Sequence, residues 1–142
     1  MIFEIHPYAN IGPIVFGMTA EQVRAILNCT YKEFKRTPIS KTVTDAFQTL
    51  GVFVCYDVEK RCTAVEMARP AQPVFAGRDL LGSPFGTVCE WLRTLDPELV
   101  LRRDGLKSFA LGIGLYAPSC GEDPLSKVES VIGFQRGCYS IK

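Results

Sequence analysis

The chain has one histidine and one tryptophan in 142 residues, and the first of these scarcities removes much of the chemistry on which small enzymes rely. Histidine is the usual general base near neutral pH. His6 precedes Pro7 with no serine, cysteine or carboxylate in a recognisable catalytic pattern around it, so it reads as a turn residue. No GxSxG, HExxH, Walker loop or dinucleotide fingerprint occurs. The GxG inside LGIGL, residues 111–115, continues a strand pattern rather than opening a helix, which argues against a phosphate site. Six cysteines are present without a CxxC, and only one histidine exists to complete a metal site. The expectation is six free, mostly buried thiols packed as small apolar groups, with no metal and no cofactor. Apolar stretches end in glycine or charge well short of the about 20 residues that span a bilayer, so no membrane partner is expected. The first residues, MIFEIHP, lack a basic segment followed by a long apolar run, and the expected location is therefore the cytoplasm. An excess of one charge is missing too. Sixteen basic against 15 acidic side chains leave +1, which argues against nucleic acid as a partner.

What is present is a core. With 47% hydrophobic and 22% charged residues, the composition is that of a globular protein able to bury roughly two-thirds of its unfolded surface. The stretch FGMTAEQVRAIL, residues 16–27, opens with a capping box: Thr19 three residues before Gln22. Val23, Ile26 and Leu27 then form an apolar stripe at helical spacing. Residues 31–36 read as a polar edge strand blunted by lysines. DAFQTLGVFVCY, residues 45–56, reads as one long strand, with CTAVEMA at 62–68 as its hairpin partner across a charged loop at 57–61.

The pattern then recurs. RPAQPVFAG carries two prolines and reads as a linker rather than a strand. In LGSPFGTVCEWL, residues 81–92, Leu81-Gly82 matches Phe16-Gly17 and Ser83 takes the cap position of Thr19. Pro84 falls at the first helical position, and Val88, Trp91, Leu92 and Leu95 make the stripe. An Asp104-Gly105 turn leads into a second long strand at 106–116, where LGIGL parallels LGVFV at 50–54. A loop at 118–126 precedes a last major strand at 128–134, and GCYSI at 137–141 is a candidate for a further short one. The expected fold class is α+β: two tandem α-β-β-β units forming a continuous antiparallel sheet with helices packed on one face. Repeat 1 covers about 11–69, the linker 70–78 and repeat 2 about 79–139, within a single pseudo-duplicated domain, 1–142.

Such a sheet has one face without helices. Strand alternation puts Leu50, Val52, Val54 and Tyr56 on the helix side and Phe47, Thr49, Phe53 and Cys55 on the other, with Glu66 opposed to Val65 and Met67. An open face bearing aromatics is either covered by a partner half or dimer mate, or is a binding surface. The loop carboxylates Asp57 and Glu59, Asp96 and Glu98, and Glu122 and Asp123 have no spacing that selects a catalytic pair, so no catalytic residue is nominated.

The residues Phe16, Gly17, Met18, Thr19, Val23 and Leu27, with the looser set Leu81, Gly82, Ser83-Pro84, Val88 and Leu92, resemble the helix-start motif of the SmpA/OmlA (BamE-like) lipoproteins and the β-lactamase inhibitory proteins. In the inhibitory proteins the unit is duplicated. The resemblance implies a protein that binds another protein with a sheet and its loops. The lipidated cysteine of the first group has no counterpart here, since the first cysteine is Cys29. In size and texture the chain is similar to bacterial immunity proteins, which implies a cytoplasmic protein that occludes the active site of a cognate toxin or effector and is not itself an enzyme. The candidate contact residues are Phe47, Phe53, Glu66 and Tyr116, with Arg69, Gln135 and Arg136 at the rim. The molecule is expected to be a monomer or weak homodimer. A small enzyme or ligand-binding domain, and a self-associating assembly adaptor, are the alternatives.

Overall fold

The structure, a computed structural model, describes residues 1–138. In chain order it runs β1 (Ile2–His6), β2 (Asn10–Ile11), β3 (Ile14–Val15), α1 (Ala20–Leu27), β4 (Lys32–Phe34), β5 (Thr44–Phe47), β6 (Val52–Tyr56) and β7 (Cys62–Met67). There follow β8 (Gln72–Phe75), β9 (Arg78–Asp79), α2 (Phe85–Leu95), β10 (Val100–Arg102), β11 (Gly105–Ser108), β12 (Ile113–Tyr116) and β13 (Ser130–Phe134). The class is α+β and dominated by sheet. An eight-stranded sheet has the order β10-β11-β12-β13-β7-β6-β5-β4, and a five-stranded sheet the order β3-β2-β1-β8-β9. Every pairing in the larger sheet is antiparallel; β1 and β8 in the smaller one run parallel. The candidate strand GCYSI extends beyond the described residues.

The first helix begins as its sequence requires. Gln22 N–H donates to the Thr19 hydroxyl at 3.2 Å, and Thr19 N–H donates to Gln22 Oε1 at 3.0 Å. Its buried stripe is Ala20, Val23 and Leu27, while Ile26, expected inside, is exposed. The second helix departs further from expectation. Its N-cap is Pro84 rather than Ser83, and no side chain caps it. Phe85, Val88, Cys89 and Leu92 are buried, whereas Leu95 is exposed. The chain before each helix is stitched to the loop before a later strand. Cys62 N–H donates to Met18 O at 2.7 Å and Ala20 N–H to Lys60 O at 3.0 Å; Val128 N–H donates to Ser83 O at 3.2 Å and Phe85 N–H to Ser126 O at 2.7 Å.

Two expected long strands are hairpins instead. Residues 45–56 fold into β5 and β6, joined by a turn in which Leu50 N–H donates to Phe47 O at 3.0 Å. Gly51 sits at φ 72°, and a Cβ there would stand 2.1 Å from Ala68 O, so the turn demands glycine. Gly112, at φ 66°, closes the β11–β12 turn. The likeness of LGVFV to LGIGL is thus a likeness of turns, and four strands follow each helix into the larger sheet.

RPAQPVFAG is also not a linker, since it contains β8, with Pro73 opposite Phe3 of β1. Gln72 N–H donates to Met1 O at 2.9 Å, while the Pro73 carbonyl points away from β1 and accepts from Leu80 N–H at 2.9 Å. The N–H that proline lacks would point the same way as that carbonyl, so pairing with β1 survives.

One face of the larger sheet is buried across its six inner strands, with Leu101 and Glu33 of the edge strands exposed. Phe47, Val52, Met67, Val131, Leu115 and Leu106 form one cross-strand row on it, and Asp45, Val54, Val65, Gly133, Ile113 and Ser108 the next. The same core cluster includes Val23 and Leu27 of α1, Val88 and Leu92 of α2, and Phe3, Ile5 and Ile11 of the smaller sheet. Ile11 lies so close to Gly133 that a Cβ there would meet its Cδ1 at 2.4 Å. Each of these large side chains contributes about 1.5–3 kcal/mol by leaving water. Within the apolar layer, Arg24 grips the fully buried Asp45 with two bonds, Nε to Oδ2 at 2.7 Å and Nη2 to Oδ1 at 2.9 Å. Tyr56 donates its hydroxyl to the same Oδ2 at 2.9 Å. Burial first, and the Asp45 bond second, hold the Tyr56 pKa above its ordinary value.

Candidate functional site

Cross-strand partners share a face, so register fixes what the opposite side of the larger sheet presents. One row crosses all eight strands: Lys32, Ala46, Phe53, Glu66, Ile132, Gly114, Lys107 and Val100. Phe53, Glu66, Ile132 and Lys107 are each half-buried, unlike the sealed rows of the other face. Ser130 and Tyr116 stand beside them, and Tyr116 is 45% exposed.

The centre of this face is held by charge. Glu66 Oε1 accepts from Arg36 Nη2 at 3.0 Å, and Oε2 accepts from the Ser130 hydroxyl at 3.4 Å. The Arg36 guanidinium also lies 3.9 Å from Cys55 Sγ. Burial alone would lower the Arg36 pKa; its bond to Glu66 and the nearness of Cys55 raise it overall. Beside this pair a recess of about 370 Å³ opens, lined by Glu66, Arg102, Asp104, Lys107, Gly114, Tyr116, Ser130 and Ile132. The Lys107 pKa is lowered, by burial first and by its neighbour Arg102 second.

The residues expected to touch a partner are dispersed. Phe53 and Glu66 are opposite one another in the central row and Tyr116 edges the recess, so the structure brings these three to one face. Phe47 is a correction. It pairs with Val52, is fully buried and packs on Tyr31 with ring centroids 5.8 Å apart. The turn at Gly51 breaks the alternation that one continuous strand would impose, and Phe47 therefore sits on the covered face. Arg69 braces the β8–β9 corner, donating to Asp79 Oδ2 at 3.1 Å and Leu81 O at 3.0 Å. Gln135 extends the β13–β7 ladder by donating its N–H to Thr63 O at 2.8 Å. Arg136 lies 4.1 Å over the Tyr8 ring, beyond the Phe134 end of β13, whereas Tyr116 faces Ser130 at the other end of that strand.

Sequence reasoning nominated none of Ile132, Lys107, Arg102, Ser130 and Gly114 as partner contacts, and it weighed Arg102 and Lys107 only as part of a basic groove for nucleic acid. A signal existed for one of them, because a glycine inside a strand marks a place where a side chain is withheld. His6 lies at the surface of the smaller sheet with Nε2 3.5 Å from Glu4 Oε1. All six cysteines are free; Cys62 and Cys89 are buried, while the other four are half-buried rather than hidden. Among the described residues no group of three His, Cys, Asp or Glu is arranged to hold a metal ion, and no helix is long and apolar enough to cross a membrane. Chemically, the open face offers an aromatic ring, a branched aliphatic, a phenol and buttressed charges on a hydrogen-bonded sheet, a mixture suited to contact with another protein. No protein-family model, no curated protein and no solved structure matches the chain.

Proposed function

We propose that the chain acts by binding another protein with the open face of its larger sheet, as a cytoplasmic immunity protein that covers the active site of a cognate toxin. The observation that carries the reading is the row Phe53, Glu66 and Ile132, half-exposed at the middle of an eight-stranded sheet whose other face is buried across the six inner strands. A sheet with its strands paired throughout is a rigid platform, and rigid platforms inhibit by occupying space rather than by refolding.

The duplicated scaffold of the β-lactamase inhibitory proteins belongs to the same reading, with α1 and the four strands after it as one copy and α2 and its four strands as the other. Three features support this. The two sets of hydrogen bonds that stitch Met18 and Ser83 to Cys62 and Val128 repeat in kind, as do the bridges Thr19 to Arg61 and Pro84 to Lys127. Gly17 and Gly82, before the helices, both have positive φ, at 93° and 83°. The meanders meet at β7 and β13 in a register symmetric about Glu66 and Ile132, with Met67 opposite Val131 and Val65 opposite Gly133.

The test begins with a tagged copy of the chain in its native host. The captured protein is identified, expressed alone to score toxicity, then expressed beside the chain. Relief of toxicity is expected, together with loss of affinity by at least about thirtyfold in Phe53→Glu, the scale of an interface hot spot. Val58→Glu, in the exposed β6–β7 loop, serves as the control and retains binding. A captured protein that is harmless, or that binds Phe53→Glu unchanged, overturns the reading.

A further inference from the structure

We propose that the groove between the β8–β9 hairpin and α2 binds a small organic carboxylate, with Arg78 holding the anion and the groove's apolar lining holding the carbon chain. The groove lies on the covered side of the larger sheet, where α2 packs, and the site stands whether or not the open face docks a protein.

Its first support is charge. The groove measures about 350 Å³, and among the described residues that line it Arg78 carries the one positive charge and Asp79 the one negative. Neighbouring charges of opposite sign would ordinarily cancel. Here Asp79 is engaged elsewhere: its Oδ1 accepts from Leu81 N–H at 2.9 Å and its Oδ2 from Arg69 Nη1 at 3.1 Å. Arg69 also donates to Leu81 O at 3.0 Å, and Gly82 leaves room for it, since a Cβ there would stand 3.1 Å from its guanidinium. The brace that fixes the groove wall thus leaves Arg78 without a carboxylate partner among the described residues.

Its second support is preorganisation. Arg78 lies over the Trp91 ring, with Cζ 4.4 Å from the centroid. Trp91 packs in turn on Phe75, ring centroids 5.8 Å apart, and Phe75 is the cross-strand partner of Arg78. Hairpin and helix therefore hold the guanidinium in one place, which lowers the ordering cost of binding, while the contact with the ring consumes none of its N–H donors. A planar fork with free donors matches the two oxygens of a carboxylate. Ser83 and Thr87 add hydroxyl donors to the same groove. Leu80 and Val88, both buried, give it an apolar floor on which a short aliphatic chain can lie. A dianionic phosphate would bring surplus charge beside Asp79 and leave that floor unused, so a monoanion with an apolar tail fits better.

Trp91 is the chain's one tryptophan and lines the groove, so its fluorescence reports occupancy without a label. The full chain is titrated with four probes: hexanoate, N-acetyl-leucine, whose carboxylate is presented as at the end of a peptide, hexanamide, and inorganic phosphate. Both carboxylates are expected to shift Trp91 emission and the 15N amide signals of Gly82 and Thr87 saturably, and the tighter of the two distinguishes a free acid from a chain end as the source. Hexanamide should bind about tenfold or more weakly, as loss of a charge-assisted contact implies. Arg78→Met keeps an aliphatic stem over the ring without donors and should abolish the response, while Arg78→Lys keeps the charge without the fork and should weaken it several-fold. Thr87→Ala, at an exposed position of α2, should also weaken it several-fold. A silent Trp91 with unmoved Gly82 and Thr87 amides, equal binding of hexanamide, tighter binding of phosphate, or undiminished binding in Arg78→Met or Thr87→Ala each overturns the assignment.

Discussion

Removing the Asp45 carboxylate would leave the Tyr56 hydroxyl without its acceptor on the buried side of the sheet, while Arg24 would keep its 3.0 Å bond to Glu33. Asp45→Ala is expected to lower stability by about 1–3 kcal/mol, the cost of leaving the buried Tyr56 hydroxyl unsatisfied while Arg24 falls back on Glu33. Replacing all three members together, as Arg24→Met, Asp45→Leu and Tyr56→Phe, should recover most of that loss, because the desolvation of both charges disappears with them. Chemical denaturation followed by the fluorescence of Trp91, the one tryptophan, reads both. Cys62 and Tyr56 set the response to alkali. Burial, ahead of the nearby Cys55, pushes the Cys62 thiol from 9.0 up to about 12, and Tyr56 is raised as well. With folded pKa values above unfolded ones, the unfolded chain releases these protons first as pH rises. The Cys62 contribution is fully present below pH 9 and is lost between pH 9 and 12, and the Tyr56 contribution begins to fall only above pH 10. Denaturation midpoints should therefore fall across that window, and more shallowly in Cys62→Ala; equal slopes would assign the alkaline loss to other groups.

Among the elements, the two helix starts differ in a way that mutation can measure. Thr19→Ala removes the hydroxyl half of a formed capping box, leaving the Thr19 N–H bond to Gln22, and should cost about 0.5–2 kcal/mol, whereas Ser83→Ala should cost clearly less, since α2 has no side-chain cap. Equal losses in thermal denaturation would contradict that assignment. The contrast also explains what was legible. Thr19 and Gln22 specify their helix locally, through contacts within one turn, so the sequence pattern suffices. The start of α2 depends on Ser126 and Pro124 far along the chain, whose carbonyls accept from Phe85 and Gly86, and no local motif announces that. The hairpins of β5–β6 and β11–β12 were hidden for a related reason. Apolar residues continue through Leu50-Gly51 and Leu111-Gly112, so hydrophobicity gives no break where the backbone turns. Missing the first turn reversed the face of Phe47. The strand β8 was obscured by prolines whose missing N–H groups fall where β1 needs none. The candidate site was legible in part: Phe53, Glu66 and Tyr116 lie in segments that read as strand, although the bounds expected around Phe53 and Tyr116 ran through a turn, while Arg102, Lys107 and Ile132 join them only through register across the sheet.

For the whole molecule, what distinguishes the two sides of the larger sheet is coverage. One side packs against apolar residues shared with both helices and the smaller sheet; the other keeps Phe53, Ile132 and Tyr116 in partial contact with water. Partial exposure of an aromatic and an aliphatic around a buttressed ion pair is favourable only slightly as free surface and strongly once a partner excludes water. Hydroxyl-radical footprinting of the chain, free and in complex with the protein captured from its host, tests the proposed docking face most directly. Oxidation of Phe53 and Tyr116 should fall several-fold in the complex, while Ile39, Val58 and Leu125, exposed at 90%, 71% and 75% in loops outside the cross-strand row, stay as reactive as before. Protection of those three with Phe53 and Tyr116 unchanged would contradict the open sheet face as the binding surface.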